Sequence, residues 1–310
     1  MRLMVAERRD EADGVISLVL EAPGGGALPA WTPGAHIDLH LEDGLIRQYS
    51  LCSDPGDRGR WRLGILREPR SRGGSKQVFD KLHPGDLVEV SGPRNHFELR
   101  PAARYVFIAG GIGITPILPM ITHAERAGTP WTLLYGGRSR CSMAFTGELT
   151  RYGDRVTLVP QDEFGLPDLA RPLGKAAEGT HVYACGPEPL LNAVTAQMHD
   201  WPPGSLHTER FTPRAASGPD EPFQVEFVAS GFTATVPPDR SILAVAEDAG
   251  VAVDWSCREG TCGSCETAVL GGRAEHRDSL LSGPEREAQD CLMICVSRAE
   301  HGCPLLRLDL

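Results

Sequence analysis

Three cysteines, Cys257, Cys262 and Cys265, stand as C-x4-C-x2-C, and Cys295 follows after 29 intervening residues. That is the plant-type 2Fe-2S spacing, in which one loop gives three thiolates and a later segment gives the fourth. A loop wrapping two bridged irons must curl tightly and aim backbone N–H groups at sulfur, and Gly260 and Gly263, with small Thr261 and Ser264, suit that task. A structural zinc site, which prefers paired C-x2-C units, and buried thiols that merely pack are the alternatives. By spacing alone Cys291 competes with Cys295 as fourth ligand. Cys52, Cys141, Cys185 and Cys303 read as core or surface thiols.

Nine cysteines crowded toward the carboxyl end, without an apolar signal segment between Met1 and Asp10, argue against a disulfide framework and for a cytoplasmic protein. A formal net charge of −10 argues against nonspecific nucleic-acid binding. The uncharged run Tyr105 to Thr122 is long enough for a membrane helix, but Gly110, Gly111, Gly113, Pro116 and Pro119 interrupt it, so no membrane span is expected.

At 310 residues the chain suits two or three domains, and its texture divides it into three. Residues 1–101 carry short alternating runs, Val15 to Leu20, Ile37 to Leu41, Trp61 to Leu66 and Leu87 to Val90, expected as strands of an antiparallel β-barrel. In residues 102–211 the runs Tyr105 to Ala109, Trp131 to Tyr135, Val156 to Val159 and His181 to Cys185 are of buried-strand type. Helical patterns such as Pro187 to Met198 lie between some of them, which predicts an α/β domain with a parallel sheet. Residues 212–222 read as a linker. In residues 223–310, Phe223 to Phe227 and Phe232 to Val236 predict a hairpin turning at Ser230 and Gly231, with a helix over Ser241 to Ala249.

The segments SCREGTCGSCETAVLGG, EHRDSLLS and CLMICVSRA resemble the ferredoxin domain of the phthalate dioxygenase reductase family. The resemblance implies a β-grasp, ferredoxin-like α+β fold, and it favours Cys295 as the fourth ligand. Arg47, Gln48, Tyr49 and Ser50 form R-x-Y-S, similar to the flavin motif of the ferredoxin reductase superfamily. Strand alternation puts Arg47 and Tyr49 on one face, with Gln48 and Ser50 on the other. Leu66, Arg67, Glu68 and then Arg72, Gly73, Gly74 and Ser75 resemble the second flavin segment, where a helix start offers N–H groups to a phosphate. The flavin implied is FMN; the residues themselves do not separate FMN from FAD.

After the strand Tyr105 to Ala109 come Gly110, Gly111, Ile112, Gly113, Ile114, Thr115 and Pro116. The glycines would let backbone approach a pyrophosphate, Thr115 could cap the next helix, and Pro116 suits its first position. The turn departs from G-x-G-x-x-G, and no acidic residue ends the second strand. Gly136, Gly137 and Arg138, the turn Cys185, Gly186 and Pro187, and Thr208 to Phe211 resemble further superfamily segments. They imply a nicotinamide beside Cys185, with Glu209 and Phe211 near the chemistry. NADH is the expected donor, and Arg138, Ser139 and Arg140 leave NADPH open.

A nicotinamide gives a hydride, a cluster takes single electrons, and a flavin converts between them. The resemblance therefore implies a reductase that feeds an oxygenase, either a Rieske enzyme or a detached or fused haem-thiolate monooxygenase. A flavin or quinone reductase and an iron-sulfur sensor are the competing readings. Asp162 and Glu163 read as solvated loop residues.

Overall fold

The computed structural model describes residues 1–68, 73–212 and 220–310, so Arg72 and most of the expected linker lie outside the described residues. It resolves into two compact units, Met1–Glu209 and Arg210–Leu310.

The first unit opens with β1 (Arg2–Ala12), β2 (Val15–Glu21), β3 (His36–His40), β4 (Ile46–Ser50), β5 (Arg60–Leu66) and β6 (Leu87–Arg94). They pair antiparallel in the order β4-β3-β6-β1-β2-β5, and a bridge from Leu51 to Leu63 joins the two edges. That bridge closes the sheet into a barrel and removes its open edges. Period-2 alternation turns Ile16, Leu18 and Leu20, with Leu63, Ile65, Ile37 and Leu39, into one core. Each such side chain contributes roughly 1.5–3 kcal/mol by leaving water.

The second sheet holds β7 (Arg104–Gly110), β8 (Trp131–Gly137), β9 (Val156–Pro160), β10 (Thr180–Cys185) and β11 (Leu206–Glu209), all parallel, in the order β11-β10-β7-β8-β9. Alternation along β7 sends Tyr105 and Phe107 to one core with Ile117 and Ile121 of the helix Ile114–Ala127. Val106 and Ile108 face the other, with Leu191 and Val194 of the helix Glu188–Gln197. Strand order reverses on either side of β7, so a topological switch point lies at its carboxyl end, where Gly110 to Gly113 follow. The uncharged run Tyr105 to Thr122 is thus a strand, a turn and part of a helix. No helix among the described residues is long and apolar enough to cross a membrane.

Two details at this turn differ from the sequence expectation. Gly113, not Thr115, holds the N-cap position, and Pro116 is the third helical residue instead of the first. The turn Gly111–Gly113 is a single 3-10 turn that runs straight into the helix, so Thr115 is already helical and its hydroxyl donates to the Ile112 carbonyl at 2.9 Å.

The second unit contains β12 (Phe223–Phe227), β13 (Phe232–Val236), β14 (Glu266–Gly271), β15 (Ala274–Glu275), β16 (Cys291–Met293), β17 (Arg298–Ala299) and β18 (Leu305–Leu308). Five of these form a mixed sheet, β13-β12-β18-β14-β16, with β12 and β18 parallel; β15 pairs with β17. The expected hairpin turns at Gly231, whose φ of 73° suits glycine. The helix Ile242–Asp248 starts where Ser241 accepts the Ala244 N–H at 3.1 Å, a serine N-cap. Its Ile242, Leu243 and Ala246 share a core with Val225, Phe227, Leu306, Cys265 and Cys295, which anchors the cysteine loop to the sheet.

Candidate functional site

In the barrel, β4 carries Arg47 opposite Leu39 and Tyr49 opposite Ile37. The Arg47 side chain lies flush on Gly74, the first residue of the helix Gly74–Lys81: a Cβ there would meet Arg47 Cγ at 2.4 Å and Nε at 2.7 Å. Glycine is required to bring a guanidinium and a helix N-terminus to one place, and both favour an anion. Gly73 precedes it with a φ of 101°, and the Ser75 hydroxyl accepts the Glu68 N–H at 3.1 Å. Burial raises the Tyr49 phenol above its ordinary range, against the pull of Arg47. Gln48 points elsewhere: its amide donates at 3.2 Å to Asp38, which also holds Arg94 at 2.7 Å, and Ser50 is buried. Arg67 is paired with Asp80 at 3.2 Å, and Leu66 packs against the core of the parallel sheet.

At the switch point the glycines approach protein. A Cβ on Gly113 would lie 2.3 Å from the Cys185 carbonyl oxygen, and one on Gly110 2.6 Å from Pro187 Cδ; a Cβ on Gly186 would be 3.0 Å from Gly110 Cα. Two motifs some 70 residues apart in the chain are therefore in close contact, a packing requirement for glycine that stands beside the expected one. Gly111 has a φ of 54° and open space where its Cβ would be, so it alone of these glycines retains room for a ligand's approach. Gly64 of β5 packs on Thr115 and Phe145, seating the barrel against the start of the helix Ile114–Ala127.

Parallel register sets Cys185 of β10 beside Glu209 of β11, Sγ to Oε2 3.9 Å. Cys185 is fully buried and Glu209 half-buried. Desolvation raises the Glu209 carboxyl from 4.5 to about 8, against the hydrogen bond from Cys185, and burial pushes the thiol well up too. Burial thus holds the carboxyl toward its neutral form. Phe211 is exposed and belongs to the second unit.

At the end of β8, a Cβ on Gly136 would make only ordinary contacts at 3.9 Å, whereas Gly137 packs on Met143. Arg140 is taken: its Nε and Nη2 donate to the two carboxylate oxygens of Glu163 at 3.1 and 2.7 Å, while the Asp162 N–H donates to the Arg138 carbonyl at 3.1 Å. Glu163 is thus ion-paired as well as exposed, while Asp162 is exposed as expected. Glu163 lies on the short helix Gln161–Phe164 that directly follows β9, the strand paired with β8.

In the second unit Cys257, Cys262, Cys265 and Cys295 are buried free thiols. Amides of Glu259 and Thr261 donate to Cys257 Sγ at 3.2 and 3.5 Å, and that of Ser264 donates to Cys262 Sγ at 3.4 Å. Contacts with Cys262 and Cys295 hold the Cys257 thiol far below its ordinary value, and the same network drives Cys295 far up. No three His, Cys, Asp and Glu side chains among the described residues converge as on a single metal ion; the thiol contacts run pairwise, Cys257 with Cys262 and Cys295, and Cys265 with Cys295. Cys291 is half-buried on β16, its thiol pushed up to about 11 by burial and then by Glu266. Four soft thiols with N–H groups aimed at sulfur fit an iron-sulfur centre.

Residues 4–99 match the oxidoreductase FAD-binding domain family, residues 107–196 the oxidoreductase NAD-binding domain family, and residues 226–300 the 2Fe-2S iron-sulfur cluster binding domain family. Over 99% of its length the chain is 41% identical to the phthalate 4,5-dioxygenase oxygenase reductase subunit of Pseudomonas putida, covering 96% of that protein. The chain belongs to the phthalate dioxygenase reductase family. It is 46% identical, over 96% of its length and 94% of the relative, to the phenoxybenzoate dioxygenase subunit beta of Ectopseudomonas oleovorans. Among solved structures it resembles phthalate dioxygenase reductase itself, at 37% identity and a TM-score of 0.75, covering all of this chain and 98% of that one. It also resembles an intact type IV self-sufficient cytochrome P450 monooxygenase, at 39% identity and a TM-score of 0.89, of which it spans only 41%. As a member of the phthalate dioxygenase reductase family it is an oxidoreductase with flavin, NAD and 2Fe-2S modules in that order along the chain.

Proposed function

We propose that this protein takes a hydride from NADH onto FMN and passes single electrons through a 2Fe-2S cluster held by Cys257, Cys262, Cys265 and Cys295 to an oxygenase. The acceptor is a Rieske oxygenase or a haem-thiolate monooxygenase, separate or fused, as the relatives named for dioxygenases and the P450 chain suggest. The observation that carries the reading is the pairing of an anion cradle, Arg47 on Gly74, with a four-thiol loop in a separate compact unit.

A bound flavin supplies the conversion from two-electron to one-electron transfer. The chain's own residues do the rest. Arg47 and the amides of the helix start bind a terminal phosphate, which suits the single phosphate of FMN. Gly111 lets the backbone approach the nicotinamide donor, and buried Cys185, with Glu209 held toward its neutral form beside it, gives it a neighbour of low charge. Glu163 favours NADH, because a carboxylate already on Arg140 opposes a 2′-phosphate. A cytoplasmic setting agrees with this scheme, since nicotinamide is supplied there and thiols stay reduced.

Ending the chain at Pro222 tests the scheme. Reduction of the flavin by NADH and of small two-electron acceptors should persist, while reduction of cytochrome c should collapse. Equal cytochrome reduction by the shortened and full-length proteins, at matched flavin content, would move the outlet from the cluster to the flavin.

A further inference from the structure

Behind the cysteine loop lies a buried charged group that the electron-transfer scheme does not use. Asp278 is wholly buried, and its Oδ1 accepts the N–H groups of Leu280 and Leu281 at 2.9 and 2.7 Å. Its Oδ2 has no hydrogen-bond partner among the described residues and faces His276 Nδ1 at 4.0 Å. Arg286 Nη2 stands 3.8 Å from Oδ1 and donates to the Asp278 carbonyl at 2.9 Å. Burial lowers the pKa of His276, and its Nε2 meets the Gln289 amide at 3.0 Å, so the ring is neutral. The acid and base in direct contact here are Asp278 and Arg286.

The pocket abuts the ligand loop directly. A Cβ on Gly260 would come within 3.0 Å of Asp278 Cα, and the Ser279 N–H donates to the Gly260 carbonyl at 2.8 Å. Gly260 lies between Glu259 and Thr261, the two residues whose amides reach Cys257 Sγ. An asparagine would satisfy Leu280 and Leu281 equally well, so the turn alone does not call for a carboxylate. Burying one with an open oxygen is costly unless the charge itself has a use.

We propose that Asp278 and Arg286 set the reduction potential of the cluster from behind its ligand loop, the carboxylate lowering it and the guanidinium opposing. In this low-dielectric interior a negative charge acts strongly on a centre that gains an electron, and disfavours the reduced form. The inference rests on the four-cysteine assignment, so the experiment separates the two.

The full chain, Asp278→Asn and Arg286→Gln are compared first for iron content and for the electron paramagnetic resonance signal of the reduced protein. Potentiometric titration of that signal follows. D278N should raise the ratio of reduced to oxidised cluster at fixed potential about tenfold, an upward shift of about 59 mV for a one-electron couple. R286Q should shift it down. A protein with no iron-sulfur signal would defeat the ligand assignment. An iron-loaded D278N with an unchanged potential, or two variants shifting in the same direction, would overturn the tuning role. Should D278N fail to load iron, R286Q decides: a downward shift supports the proposal and an unchanged potential ends it.

Discussion

Gly113 rests against the carbonyl of Cys185 so closely that a Cβ on it would come within 2.3 Å of that oxygen. This contact locks the turn after β7 to the turn after β10, the two turns proposed to receive the dinucleotide. Gly113→Ala should force backbone apart at a cost of roughly 1–3 kcal/mol, as overpacking does. The expected result is a lower urea midpoint for the first unit together with slower flavin reduction by NADH in stopped-flow. An unchanged midpoint would show that the two turns yield freely.

Arg47→Ala should weaken flavin retention by about 1.5–3 kcal/mol through loss of a charge-assisted hydrogen bond. Gly74→Ala should mimic it, because the new methyl occupies the space of Arg47 Cγ. Equilibrium dialysis of FMN reads both. Extracted cofactor running as FAD would contradict the phosphate assignment.

Cys295→Ser should abolish the visible iron-sulfur absorbance and Cys291→Ser should keep it, since Cys295 contacts Cys257 and Cys265 whereas Cys291 sits on β16 beside Glu266. The reverse pattern would exchange the two roles.

What is legible in the sequence follows from how local each feature is. The thiol loop needs only residues 257 to 265 plus one later segment, and alternation alone reveals strands such as Val15 to Leu20, within β2. Sequence misplaces Thr115 because a 3-10 turn and an α-helix share the same glycine-rich signal, and hydrogen bonding decides where one ends. Glu163 on Arg140 and Glu209 beside Cys185 depend on which strands lie adjacent and in what register, which no window of sequence contains. Asp278 lies within a recognised segment, but its burial emerges only when the loop closes over it.

Glu209 predicts a pH dependence of stability. Its folded pKa of about 8 lies above its ordinary 4.5, so the folded state binds the extra proton. Its contribution is fully present below about pH 4.5 and is lost as pH rises through 8. The loss should be on the order of 3 kcal/mol, allowing for partial exposure. Glu209→Gln should flatten the slope of denaturation free energy between these limits; an equal slope in the variant would assign it to other groups.

Glu163→Gln should free Arg140 for a 2′-phosphate. Affinity for 2′,5′-ADP, measured by calorimetry, should rise about tenfold, the size of one additional charge-assisted hydrogen bond, while affinity for 5′-AMP stays level. An equal rise for both ligands would mean that the acid acts on the nucleotide generally.

β18 lies at the centre of its sheet, between β12 and β14, although it is built from Leu305 to Leu308. During synthesis the barrel and the parallel sheet have all their strands once Glu209 has emerged, and they are free to fold and take up flavin. The iron-binding unit has no such head start: until Leu308 is out, β12 and β14 have nothing between them. The sheet of the second unit is thus the last to be completed along the chain, and a segment ending just past Cys295 would carry all four thiols and still lack the strand that joins β12 to β14.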